Sequence, residues 1–226
     1  LGGCKNKMKI RHFITAFIIL FPIVLLIVWA FSNRWPWPDL LPVSFSIRGM
    51  KAVGQQSVIR ILYSSVLLSL FIACLPTILG LMPACAFAYY DFKGKTLLKF
   101  ASFVPIIIPA NVFAMGIHVL FIRWHLNDTI QGIILCHTIY CLPYTINILT
   151  EIMKSTGIKY KEQASVLGSN TMMSFFYITF PMILPSLLSA VSMAYIISFL
   201  QYFLTLLIGG YRIQTFSVIM VPFISA

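Results

Sequence analysis

The stretch from Ile61 to Tyr90 reads ILYSSVLLSLFIACLPTILGLMPACAFAYY and contains no Asp, Glu, Lys or Arg. As a helix rising about 1.5 Å per residue, it is long enough to cross a hydrocarbon core of about 30 Å. Outward from it, comparable apolar runs predict further spans at 12–32, 97–122, 130–150 and 176–208. This pattern indicates an all-α, polytopic helical membrane protein.

The composition of the whole chain supports a membrane protein. Of 226 residues, 60% are hydrophobic and 9% are charged, whereas an average soluble domain is about 45–50% apolar and about 25% charged. The net charge of +11 does not indicate nucleic-acid binding, because the basic residues lie in short clusters beside the apolar runs. The cysteines form no CxxC pair and show no metal-ligand spacing, so we predict no metal site.

The basic clusters also orient the chain. They fall in the amino-terminal tail at 5–11, in the loop at 93–99 and in the loop at 154–161. Cytoplasmic loops of membrane proteins carry an excess of Lys and Arg. We therefore place the amino terminus and the loop at 151–175 in the cytoplasm.

Polar side chains within the apolar runs are the candidates for a transport pathway. Several prolines also lie within the predicted spans, and kinked helices around a protein-lined or wet space are typical of transport proteins. For any single polar residue, interhelical packing is an equally good interpretation, and a lone imidazole more often bonds between helices than binds a ligand. The pathway candidates are Asn111, His118, His137, Asn147, Gln201 and Tyr202.

The loop between the last two spans contains a short amphipathic segment. Residues 158–167 have helix-compatible types, and Tyr160, Ala164 and Leu167 follow the i, i+4, i+7 spacing of a narrow apolar stripe. A small residue at the centre of such a stripe permits close packing. We predict a short cytoplasmic helix here.

An elbow is predicted directly after this helix. Gly168 suits a left-handed stop, because glycine adopts positive φ without a side-chain clash. Ser169 or Asn170 can then cap the next helix by accepting a hydrogen bond from its first free N–H groups. This arrangement, in which an elbow joins a short helix to a helix entering the membrane, suits the docking of a motor subunit.

At this loop the sequence resembles the EAA motif of binding-protein-dependent ABC importer permeases. That motif is written EAA, three residues, G, nine residues, I, one residue, LP. All spacings match, with Gln163 in place of the first Ala and Phe180 in place of Leu. A looser resemblance, closest to the polyamine, thiamine and ferric-ion type branch, extends from Ser64 to the chain end. The matching residues are Glu162, Ala164, Gly168, Ile178 and Phe180-Pro181.

The resemblance implies a type I ABC importer permease-like bundle in a bacterial inner membrane. Its implied partners are a dimer of ATP-binding subunits, a second permease subunit in a homo- or heterodimer, an extracytoplasmic substrate-binding protein and the lipid bilayer. The implied organisation is a cytoplasmic basic tail at 1–11, a peripheral first span at 12–32, an outer loop at 33–60 and a permease core at 61–226. The implied ATPase-coupling residues are Glu162, Gln163, Ala164, Leu167 and Gly168.

Other function classes fit the residues less well. No Ser-His-Asp, paired-carboxylate or metal-ligand arrangement is visible, so we predict neither catalysis nor a cofactor in this chain. All five acids fall in loops or at span ends, which disfavours the alternative of an ion-coupled secondary transporter or channel acting without an ATPase. A membrane-embedded anchor protein is a third class. Residues 201–203 are neutral where cation-carrying relatives often show an acid, so the substrate stays open, as do both true chain ends.

Overall fold

The computed structural model describes residues 2–36, 39, 41–47, 51, 53–156 and 159–224. The chain divides into two compact units, Leu1–Arg60 and Ile61–Ala226. In the first unit, α1 (Gly2–Ala30) is followed by an antiparallel pair of short strands, β1 (Ser32–Arg34) and β2 (Ser44–Phe45). The helix ends two residues before the predicted span at 12–32 does, and its apolar part, Ile14–Ala30, is shorter than the membrane-length helices described below.

The rest of the described chain is helical. Most of it consists of long apolar helices joined by short turns, and the shorter helices lie near the turns. The elements are α2 (Gln56–Tyr89), α3 (Lys95–Ile107), α4 (Ala110–Arg123), α5 (Ile130–Thr156), α6 (Lys159–Val166), α7 (Thr171–Ser174), a π-helical turn (Phe175–Thr179), α8 (Phe180–Leu200), α9 (Phe203–Gly209) and α10 (Phe216–Ile224).

Within the described residues, three helical runs are long and apolar enough to cross a membrane: Gln56–Tyr89, Ile130–Ser155 and Met172–Leu200. The predicted span at 97–122 is wrong as a single helix, because α3 and α4 meet at an angle of 103°. Pro109 lacks an N–H group and disfavours helical geometry in the residue before it. Ile108 is accordingly extended, with φ −76° and ψ 128°.

Two other predicted spans have different limits in the structure. The helix that contains the predicted span at 130–150 is longer than the span, since α5 continues to Thr156. Hydropathy predicts the apolar part of a helix, whereas the polar residues that follow still favour helical structure. The span at 176–208 is interrupted, because α8 ends at Leu200 and Gln201 is extended, with φ −71° and ψ 98°. The chain becomes helical again only at Phe203.

The core of the 61–226 unit is built around α5, which packs along α8 and also contacts α3 and α9. Thr145 on α5 donates a hydrogen bond to the C=O of Pro76 on α2 at 2.9 Å, and Gly80 allows the close approach at this point. Two main apolar clusters follow the length of α5. One contains Ile72, Ala114, Phe121, Ile133, Cys136, Tyr140, Leu204 and Ile208, and the other contains Ala84, Leu149, Met153, Ile183 and Ala190.

Candidate functional site

The short helix predicted between the last two long helices is present as α6. Its bounds, Lys159–Val166, fall within the predicted 158–167, so this prediction is confirmed. Glu162 lies in the first turn, where a negative charge interacts favourably with the helix dipole. Its side chain is exposed, and its C=O accepts a hydrogen bond from Ser165 Oγ at 2.7 Å.

The elbow after α6 is a Schellman turn. Gly168 has φ +85°, which confirms the predicted left-handed stop. The N–H of Gly168 donates to the C=O of Ser165 at 3.1 Å, and the N–H of Ser169 donates to the C=O of Ala164 at 3.0 Å. These two bonds satisfy carbonyls that a helix end otherwise leaves free.

Asn170 caps the helix that follows the elbow. The N–H of Met173 donates to Asn170 Oδ1 at 2.8 Å, which is the bond expected of an N-cap residue. Ser174, buried one turn later, donates through Oγ to Ser169 Oγ at 3.2 Å. The predicted capping by Ser169 or Asn170 is therefore confirmed, with Asn170 as the cap.

The second half of the motif lies where the π-helical turn joins α8. The N–H of Phe180 donates to the C=O of Phe175, five residues earlier. Pro181 cannot donate to the C=O of Tyr177, and its ring would crowd that carbonyl in a regular α-helix. The wider turn directly before the proline thus joins the elbow to α8.

The apolar stripe predicted on α6 is only partly a packing face. Ala164 is 5% exposed and lies on the helix that contacts α7 and the π-helical turn. Tyr160 and Leu167, by contrast, are 49% and 87% exposed. Gln163 is also exposed, so its larger amide does not change how α6 packs. The segment therefore presents apolar side chains to its surroundings beside the glycine elbow.

The pathway candidates do not form one cluster in the structure. Asn111 is exposed on α4, whereas His118 on α4 and Asn147 on α5 are half-buried. Among the described residues, no hydrogen bond joins these three to one another or to the remaining candidates, and His118 Nδ1 is buried without a partner there. Gln201 and Tyr202 are half-buried in the break between α8 and α9.

His137 is the candidate with the most complete set of contacts. It is buried on α5, where its Nδ1 lies 3.0 Å from Ser198 Oγ and its Nε2 lies 3.1 Å from Thr205 Oγ1. Thr205 Oγ1 also donates to the C=O of Gln201 at 2.6 Å. His137 thus bonds between helices, which confirms that interpretation, and the network links it to Gln201.

Sequence reasoning missed Ser198 and Thr205. Small hydroxyl side chains are common in apolar helices, where they bond to the backbone of their own turn. The seven-residue spacing between these two places them on similar faces only if the helix is continuous, and here it is broken. The sequence therefore carries no distinct signal for the network.

Comparison with known proteins identifies relatives among transport proteins. Residues 76–221 match the family model described as binding-protein-dependent transport system inner membrane component. The chain is 27% identical over 181 residues to the spermidine/putrescine transport system permease protein PotC of Escherichia coli, covering 79% of this chain and 66% of PotC. It is 30% identical over 146 residues to the molybdate/tungstate transport system permease protein WtpB of Pyrococcus abyssi, covering 65% of this chain and 58% of WtpB.

A solved structure has a similar fold. It is the crystal structure of a bacterial ABC transporter involved in the import of the acidic polysaccharide alginate, with a TM-score of 0.66 and 18% sequence identity. The match covers 97% of this chain and 77% of the other. At this identity the likeness concerns the fold alone. The chain spans just under two thirds of the length of PotC and less of WtpB.

Proposed function

This chain belongs to the family of binding-protein-dependent transport system inner membrane components, and on that premise we propose that it is a permease subunit of an ATP-driven importer. It contributes membrane-spanning helices to the solute pathway, and a separate chain hydrolyses ATP. The permease names of its relatives support this assignment. The long apolar helices of the 61–226 unit supply the required spans.

The observation that carries the proposal is the geometry of α6 and its elbow. An exposed short helix is joined by a Schellman turn and a capped second helix to α8, one of the longest helices of the bundle. Val166 and Leu167 are 86% and 87% exposed. Exposed apolar side chains next to a rigid turn suit docking to another protein, and the turn delivers a displacement of α6 to α8.

The mechanism follows from the connection of α6 to α8 through the elbow. An ATPase dimer that closes on ATP displaces α6, and α8 moves with it as part of a rigid body. Glu162, Gln163, Ala164, Leu167 and Gly168 are the coupling residues in this proposal, with Ala164 holding α6 against the bundle and the exposed members meeting the partner. The loop at 151–175 and the amino terminus lie on the cytoplasmic side.

The partners in this proposal are an ATP-binding subunit dimer, a second permease subunit and an extracytoplasmic substrate-binding protein. The named solutes of the two relatives, polyamines and metal oxyanions, have opposite charges. Gln201 and Tyr202, the pathway candidates at the helix break, are neutral. We therefore propose solute import without assigning the solute, whose selection rests with the binding protein.

The test compares Glu162→Ala with Asp91→Asn in the complete transporter reconstituted in proteoliposomes. Both acids are exposed, but only Glu162 lies on α6. We expect Glu162→Ala to lower ATP-dependent uptake and co-purification of the ATP-binding subunit by about tenfold, equivalent to about 1.4 kcal/mol. Asp91→Asn leaves both unchanged, and both variants insert normally.

Normal uptake by the Glu162→Ala transporter would contradict the coupling role of this residue. Uptake that persists without ATP and collapses with the proton gradient would instead support the ion-coupled carrier and overturn the proposed function.

A further inference from the structure

The break between α8 and α9 is an unusual feature of a run of apolar helix. Backbone groups freed by such a break cost several kcal/mol each when they are kept from water without a partner. Here the N–H of Gln201 donates to the C=O of Ser198 at 3.3 Å. The C=O of Gln201 accepts from Thr205 Oγ1 at 2.6 Å and from Ser217 Oγ at 3.3 Å. Side chains therefore stabilise the break at Gln201.

The network around His137 has one consistent direction. Thr205 has a single hydroxyl proton, which it donates to the C=O of Gln201, so Thr205 Oγ1 accepts from His137 Nε2–H. A neutral imidazole has only one N–H. His137 Nδ1 is then an acceptor, and Ser198 donates its hydroxyl proton to it. The tautomer, assigned from the network, has its proton on Nε2.

His137 joins three helices through these bonds. The imidazole belongs to α5, Ser198 belongs to α8, and Thr205 belongs to α9 on the other side of the break. Ser198 and Thr205 are both buried, with 3% and 1% exposure. A single side chain of α5 therefore holds both segments of the interrupted run.

The site lies far from the coupling segment along α5. Nineteen residues separate His137 from Thr156, the last residue of α5, which corresponds to about 29 Å of helix. A displacement of α6 enters α8 at its opposite end, after the π-helical turn. A break without these hydrogen bonds bends easily. A displacement of α8 would then bend the chain at the break and would not reach α9.

We propose that His137 is a positioning residue of the transport cycle. Its two hydrogen bonds hold α8 and α9 together, so that motion started at α6 reaches the pathway at Gln201 and Tyr202. This rests on the proposed function. These hydrogen bonds make α9 move with α5 and α8 as one body. Without these bonds the partner subunit still hydrolyses ATP, but the displacement of α8 is not transmitted to α9.

The experiment measures uptake and ATP hydrolysis together in the reconstituted transporter. His137→Leu removes both hydrogen bonds from the buried site, whereas His137→Gln retains a donor and an acceptor. We expect His137→Leu to lower the solute transported per ATP by about tenfold, because α9 is then no longer bonded to α5; a factor of ten corresponds to about 1.4 kcal/mol. His137→Gln restores a measurable part of that ratio.

Thr150→Val is the matched control. Thr150 is also buried on α5, but among the described residues its hydroxyl bonds only to the C=O of Ile146 in the same helix, at 2.6 Å. Its removal takes away a buried hydrogen bond without touching the break. We expect transport per ATP to stay unchanged in this variant.

Ser198→Ala provides a second, milder variant that removes one of the two hydrogen bonds of His137 and keeps the imidazole. A lowered transport per ATP with normal assembly in His137→Leu or Ser198→Ala supports the proposal. An unchanged ratio overturns it, as does a parallel loss of uptake, hydrolysis and thermal stability in both variants. If the unmodified transporter shows no ATP-dependent uptake, the proposed function fails instead.

Discussion

The two ends of α5 differ in the contacts made by the residues around them. Near Ile130, contacts join distant parts of the chain: the N–H of Asp128 donates to the C=O of Ile208 at 2.8 Å, and Gly209 lies against Ile133. Beyond Thr156, the hydrogen bonds of the elbow among the described residues are local, joining residues at most five positions apart.

This difference separates a region packed against its own chain from one whose apolar side chains are exposed. Side chains near the start of α5 are buried against their own chain, as the cluster around Ile133 shows. Val166 and Leu167 at the other end are almost fully exposed. Local bonds give the elbow its shape, but they leave its apolar side chains exposed, as the proposed docking surface requires. Substitutions at the first end should therefore affect folding, and those at the second should affect coupling.

The largest effect is expected from Gly132→Ala in the tightly packed end. A Cβ at this position would overlap the C=O of Leu126 and lie 3.2 Å from Thr129 Oγ1. A backbone carbonyl cannot yield as a flexible side chain can, and overpacking costs about 1–3 kcal/mol or more. We expect a lower Tm in detergent and a reduced yield of folded protein.

Gly116→Ala is its control, because Gly116 lies in α4 with open space around it. Alanine there is expected to preserve or slightly raise the Tm, since glycine is the weaker helix former. Equal Tm values for Gly132→Ala and the unmodified protein would remove the distinction between a crowded and an open end.

An intermediate effect is expected from Gly168→Ala, compared with Gly94→Ala. The two glycines have φ of +85° and +88°, and both are surrounded by open space. Left-handed geometry costs a residue with a Cβ about 1–2 kcal/mol, so the Tm of both variants should fall by a similar amount. Only Gly168→Ala should also reduce uptake and binding of the ATP-binding subunit. Equal uptake by both variants would show that the elbow has no special role.

The smallest effect is expected from Asp91→Asn. The Asp91 carboxylate is exposed and lies 2.9 Å from Lys95 Nζ. The hydrogen bond from Lys95, followed by its charge, lowers the pKa of Asp91 below its usual value. A lowered pKa stabilises the folded state above the unfolded pKa, and this contribution is lost as the pH falls through the folded pKa.

We therefore expect no resolved change in Tm near neutral pH, because exposed ion pairs contribute little. Whatever small difference exists should vanish in acid, when both chains lack the charge at position 91. A Tm difference that grows as the pH falls would contradict the sign of this shift.

The sequence predicted the elbow well because its chemistry is local. A glycine at positive φ, an Asn cap and a helix-compatible run each act within about one turn. The bend between α3 and α4 was harder to predict from the sequence. Pro109 was visible, but hydropathy averaged over a long window gave one span across it. At Gln201–Tyr202, neither Pro nor Gly marks the break, so nothing in the neighbouring residues predicted it.

By itself, the sequence determined a polytopic helical protein, the position of the short helix α6 and the shape of the elbow, since hydropathy and turn chemistry are properties of neighbouring residues. Only the tertiary structure decided where the last long run breaks and which side chains hold the break. His137 lies 61 residues from Ser198 and 68 from Thr205, and contacts over such separations exist only after the helices have packed. The physical reason is that burial makes these hydrogen bonds worth forming, and burial belongs to the bundle as a whole.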